Sequence, residues 1–91
     1  MANSQISNIA PIFGEILRCH RAEQGISQEE LAFRAGIDRT FVSRLERGLK
    51  QPTLTTLIGL AGALGFSAAD LVRETEERYL HGSSSNLGDK T

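Results

Sequence analysis

The stretch from Gln28 to Arg47, QEELAFRAGIDRTFVSRLER, decides the fold. Ser27 stands just before it with Glu30 three residues on, the capping-box pattern that opens a helix. That helix is short, because Gly36 follows Ala35 and supplies the positive φ that a tight turn requires. Asp38 is placed to cap a second helix, which runs through Val42 and Leu45 to Arg47 and ends at Gly48. Ala32 falls where the two helices cross and only a small side chain fits. Leu31, Ala35, Ile37, Val42 and Leu45 are the inward positions that fix the angle between them.

Working outward from this pair, the chain continues as helices on both sides. Residues 1–8 are polar and uncharged, a start expected to fray. Phe13, Ile16, Leu17 and His20 then recur at spacings of three and four, with Pro11 in the first turn and Gly25 as the stop. After the pair, Pro52-Thr53 opens a helix expected to bury Leu54, Leu57, Ile58, Ala61 and Leu64, closed by Gly65. Ser67 to Asp70 caps a fifth helix carrying Leu71, Val72, Thr75 and Tyr79. Residues 81–91, beginning His81-Gly82-Ser83, read as a flexible polar tail. No alternating run or hairpin turn signals a strand. The expectation is an all-α chain of five helices, with one domain over residues 9–80.

Ninety-one residues allow a single small core, built here from Leu, Ile, Val and Ala, since there are four Phe, one Tyr and no Trp. Cys19 is the one cysteine, so no internal disulfide is expected, and His20 and His81 stand far apart in sequence without a metal-ligand spacing. His20, on an inward stripe, reads as a packed residue. No metal and no cofactor are expected. No apolar run reaches the roughly 18 residues of a membrane span, and no signal peptide precedes the first helix. A cytoplasmic protein without membrane attachment is the expectation.

Net charge is −1, yet it is unevenly spread. Arg34, Arg39, Arg44, Arg47 and Lys50 face only Asp38 and Glu46 between positions 34 and 50, whereas the chain beyond Gln51 is acidic on balance. Glu29 and Glu30 suit a helix start, and Glu74, Glu76 and Glu77 a solvated face. With no nucleophile–base pair, Gly-rich phosphate loop or metal constellation in the sequence, no enzyme is expected.

The Gln28–Arg47 pattern is that of a helix-turn-helix. From Phe13 to Val72 the chain resembles the Cro and phage-repressor type of helix-turn-helix regulators. It is most similar to small stand-alone members such as restriction–modification controller proteins, in which Arg-Thr-aromatic also opens the recognition helix. The resemblance implies a five-helix, lambda-repressor-like domain binding double-stranded DNA. Periodicity leaves Arg39, Thr40, Ser43, Arg44 and Arg47 outward on the second helix of the pair, whose N-terminal part enters the major groove in this motif. Arg39 and Arg44 suit guanine, with Thr40 and Ser43 reading neighbouring edges. Phe41 lies beside the inward face and is expected to be partly core.

Gln28 opens a helix whose free N–H groups favour anions, and the resemblance implies that it anchors a phosphate. Lys50 and Arg47 are further phosphate candidates. The resemblance also implies that Arg21 and Glu46 form an ion pair bridging two helices. One recognition helix reads too little DNA to select a site, so a homodimer on an inverted repeat is expected. Leu60, Phe66, Val72 and Tyr79 are its candidate interface. The competing reading is an antitoxin-type interaction module that regulates its own operon, with only the short polar tail to hold a toxin.

Overall fold

The computed structural model describes residues 8–82, which form five α-helices: α1 (Ile9–Glu23), α2 (Gln28–Ala35), α3 (Arg39–Glu46), α4 (Leu54–Leu64) and α5 (Ala68–His81). The fold class is that expected. The stretches expected to fray lie outside the described residues except at their inner ends. Asn8 is the N-cap residue of α1, and His81, expected in the tail, instead completes α5.

Local chemistry sets the helix ends. Ser27 accepts from the Glu30 N–H at 2.9 Å, and Thr53 from the Thr56 N–H at 3.1 Å. The full reciprocal capping box forms at α5, where Ser67 Oγ accepts from the Asp70 N–H and Asp70 Oδ2 from the Ser67 N–H. At α2 only half of the expected box forms, because the Glu30 carboxylate turns to Arg34 Nε at 2.8 Å. Gly36 (φ +74°) ends α2, and the following Ile37 N–H reaches back to the Ala32 carbonyl at 2.9 Å.

One core joins all five helices: Phe13, Ile16 and Leu17 of α1, Leu31 and Ala32 of α2, Val42 and Leu45 of α3, Leu57, Leu60, Ala61 and Leu64 of α4, and Leu71 of α5. α1 packs on α3 and α5, α2 on α3 and α4, and α4 meets α5 across a bend of 102°. Thr75, buried on α5, satisfies its hydroxyl on the Leu71 carbonyl at 2.8 Å.

The buried face of α4 departs from the expectation. Leu54 is 76% exposed and Ile58 60% exposed, while Leu60 is fully buried. In LTTLIGLAGAL the apolar residues satisfy two overlapping helical frames, and packing against α2 and α5 selects the stripe Leu57–Leu60–Ala61–Leu64. Leu60 therefore belongs to the chain's own core and is withdrawn as an interface residue. Phe66 is half-buried, its ring centroid 4.5 Å from that of His20.

Candidate nucleic-acid interface

A recognition surface must hold its shape before a ligand arrives. α3 is held by a buried polar network and two close backbone contacts. Arg21 of α1 forks onto Glu46 at the end of α3: Nε donates to Oε2 at 2.6 Å and Nη2 to Oε1 at 3.0 Å. Its Nη1 donates to the Ile26 carbonyl at 2.8 Å, so one guanidinium ties α1, the α1–α2 loop and α3 together. Glu46 is only 2% exposed in its side chain. The hydrogen bond to Glu46 holds the Arg21 guanidinium above its ordinary range, against the opposing effect of burial.

Gln28 joins the same network, its Nε2 donating to Glu46 Oε1 at 3.0 Å. Sequence reasoning gave this residue a phosphate and missed this bond. A primary amide carries two N–H groups, and the bond to Glu46 leaves the second, together with the backbone N–H groups at the head of α2. The amide is thus aimed by the carboxylate that also fixes α3.

Gly14, in the middle of α1, lies directly against the last turn of α3. A Cβ at this position would overlap the Leu45 carbonyl oxygen and sit 2.8 Å from that of Glu46. Gly48 (φ +76°), which follows α3, comes close to Pro11, whose Cα would be 2.8 Å from an added Cβ. Neither contact was read from the sequence. The available signal was a glycine inside a helical pattern, where it costs about 1 kcal/mol relative to Ala without a packing reason.

The outer side of α3 presents the expected residues. Arg39, Thr40 and Arg44 are exposed, with Arg47 and Lys50 continuing beyond the helix; Ser43 and Phe41 are half-buried, Phe41 packed against the core. Charge pairing separates these cations from the others. Arg18, Arg21, Arg34 and Arg73 each hold an acid, Glu15, Glu46, Glu30 and Asp70 respectively. Arg39, Arg44, Arg47 and Lys50 enter no ion pair among the described residues, and outside this cluster only Arg78 shares that state. Arg34, counted in the local basic excess, is neutralised on its own helix. Four cations without an acid partner among the described residues thus fall within twelve positions, on and after a helix fixed from behind, and give this face a local positive charge.

The helix-turn-helix family profile matches residues 17–71. The chain belongs to the helix-turn-helix family. As a helix-turn-helix protein it is a DNA-binding transcription regulator, and α2 and α3 are the two helices of the motif. An uncharacterised HTH-type transcriptional regulator of Sinorhizobium fredii is 47% identical over 57 residues, covering 63% of this chain and 74% of that protein. Among solved structures, the restriction–modification controller protein C.AhdI of Aeromonas hydrophila is 40% identical with a TM-score of 0.66, over 68% of this chain and 94% of that one. The controller C.Esp1396I, solved as a tetramer in complex with its natural 35 base-pair operator, is 25% identical with a TM-score of 0.70, over 79% and 95% of the two chains. These relatives of the helix-turn-helix chain are regulators and controllers, which does not favour the antitoxin reading.

No group of three His, Cys, Asp or Glu side chains able to hold a metal occurs among the described residues, and no single helix there is long and apolar enough to cross a membrane. His20, expected to be packed, also bonds across the core edge, Nε2 lying 2.8 Å from Glu74 Oε1.

The remaining interface candidates, Phe66, Val72 and Tyr79, lie apart from the cationic face in sequence, and Phe66 packs on the chain's own core and against His20. Val72, 47% exposed, and Tyr79, half-buried, line a cleft of about 370 Å³ with Ile9, Phe13, Pro52 and Leu57. Leu54 and Ile58, the apolar residues that α4 leaves outside, flank Leu57 on the same helix.

Proposed function

We propose that this regulator acts as a homodimer on an inverted-repeat operator, in the manner of restriction–modification controllers and phage repressors, with α3 in the major groove of each half-site. Arg39 and Arg44 read guanine edges, their planar forks matching O6 and N7 together, and Thr40 and Ser43 contact neighbouring edges. Gln28, Arg47 and Lys50 take phosphates, which set register and carry no sequence information. The chain works where DNA is, in the cytoplasm, as a non-catalytic binder.

The observation that carries this reading is the pairing pattern: the cations on and after α3 lack acid partners among the described residues, while the scaffold behind them is held by Arg21, Gln28 and Glu46. The partner surface consists of Val72 and Tyr79 at the cleft together with Leu54 and Ile58, exposed apolar side chains that a second copy would cover. Such a pair sets the two α3 helices about 34 Å apart, the spacing of successive major grooves on one side of the duplex.

Selection of binding sites from random duplex DNA tests it. The expected product is an inverted repeat, with half-sites one helical turn apart and guanines in each. Affinity for it falls about 10³-fold or more between 50 and 200 mM salt if the dimer neutralises at least six phosphates. Enrichment of no common sequence would contradict the reading.

A further inference from the structure

We infer that Asp38 is a specificity-determining residue of this interface, accepting a hydrogen bond from an exocyclic amine of cytosine or adenine in the major groove. The inference rests on the DNA-binding reading above and names a contact that reading lacks.

The anomaly is in the caps. Ser27, Thr53 and Ser67 each use the side chain to accept from the N–H three residues on. Asp38 stands at the N-cap of α3 with the same extended backbone (φ −73°, ψ 142°), yet its carboxylate takes no cap hydrogen bond. It is exposed and enters no ion pair among the described residues, although arginines stand close to it in sequence. The first turn of α3 has no other acid, and Glu46 at the far end is buried on Arg21. Among the described residues Asp38 is therefore the one uncommitted carboxylate of α3 and its cap, on a helix otherwise presenting cations.

A spare negative charge at this end of α3 opposes phosphate binding unless something in the groove rewards it. The groups that do so are the amines N4 of cytosine and N6 of adenine, the hydrogen-bond donors of the major-groove edge. Asp38 immediately precedes Arg39, at the end of the helix that enters the groove. The two neighbours ask for opposite patterns: Arg39 requires acceptors, as guanine offers, and Asp38 requires a donor. Where guanine O6 or thymine O4 meets the carboxylate, two acceptors face each other and the site is rejected, so Asp38 also discriminates by repulsion.

The test compares the parent with Asp38→Ala and Asp38→Ser, the latter retaining a good N-cap residue and so separating capping from readout. Affinities are measured at matched salt for the selected operator and for duplexes carrying each of the four bases at every half-site position. The parent is expected to prefer cytosine or adenine at one position beside the guanine that depends on Arg39, and the four-base series tells which. Both variants should lose that preference by roughly 5- to 150-fold while keeping preferences elsewhere. Their binding to unrelated DNA should tighten, because a charge of the same sign as phosphate is gone. If both variants retain the parent's base preference at every position, the inference is overturned while the DNA-binding reading stands. If the parent binds no duplex selectively, both fall.

Discussion

Glu46 accepts three hydrogen bonds, two from Arg21 and one from Gln28, in a position with almost no contact with solvent. A buried pair of this kind adds little net stability over an apolar replacement, but removing one partner leaves the other charge without water or a counter-ion. Glu46→Ala is therefore expected to destabilise the fold by about 3 kcal/mol, measured by urea denaturation. Arg21→Met should cost a similar amount, and the double variant much less than the two together. Additive losses would show that the pair does not act as a unit. Gln28→Ala should cost far less stability, since it removes one neutral donor from a carboxylate that keeps its guanidinium. Its larger effect is expected on DNA affinity, weakening all sequences alike because a phosphate contact carries no base information.

At the scale of the elements, the close approach of α1 to α3 makes a reversed prediction. Alanine is ordinarily about 1 kcal/mol better than glycine inside a helix. Gly14→Ala should nevertheless destabilise, because its Cβ meets the backbone carbonyls of Leu45 and Glu46, which cannot swing aside as a side chain would. A rise in melting temperature would refute the contact. The cap of α5 sets the sign of an expected pH dependence. The Ser67 backbone N–H, followed by Arg73, holds the Asp70 carboxyl below the usual carboxylate range. Ionised Asp70 thus stabilises the fold above its unfolded value of about 3.9, and that contribution is lost as pH falls through the lower folded value. The stability gap between the parent and Asp70→Asn should be present at pH 7 and shrink below about pH 4. A gap that stays constant into strong acid would show that the cap does not depend on the charge.

The same scale shows what the sequence made legible. Caps and glycine stops are local chemistry, so the helix order and the Gly36 turn could be read from neighbouring residues. The outward residues of α3 could be read too, because a short helix with two buried positions, Val42 and Leu45, leaves little choice of face. α4 could not, since Leu54, Leu57, Leu60 and Leu64 fit more than one stripe and tertiary packing decides which is buried. The idle carboxylate of Asp38 and the Gln28–Glu46 bond were hidden for a related reason. The bond joins side chains from separate helices, and the carboxylate's state turns on the orientation of one side chain, neither of which spacing records.

For the whole molecule, correcting the face of α4 changes the expected assembly. Leu60→Ala should cost about 2–5 kcal/mol in any oligomeric state, as a buried leucine does. Leu54→Glu with Ile58→Glu alters two exposed positions, so the five-helix fold should persist while the dimer comes apart. Sedimentation at micromolar concentration is expected to give a dimer for the parent and a folded monomer for the double variant. A variant that remains dimeric would place the interface elsewhere.

The central claim is that the unneutralised cations of α3 read DNA sequence from a rigid frame. It is tested most directly by the affinity of Arg39→Ala with Arg44→Ala for the selected operator and for unrelated duplex, beside the parent at one salt concentration. The expected result is a loss of at least tenfold on the operator, with the preference over unrelated DNA largely abolished and the melting temperature unchanged. Operator binding as tight and as selective as the parent's would contradict the account.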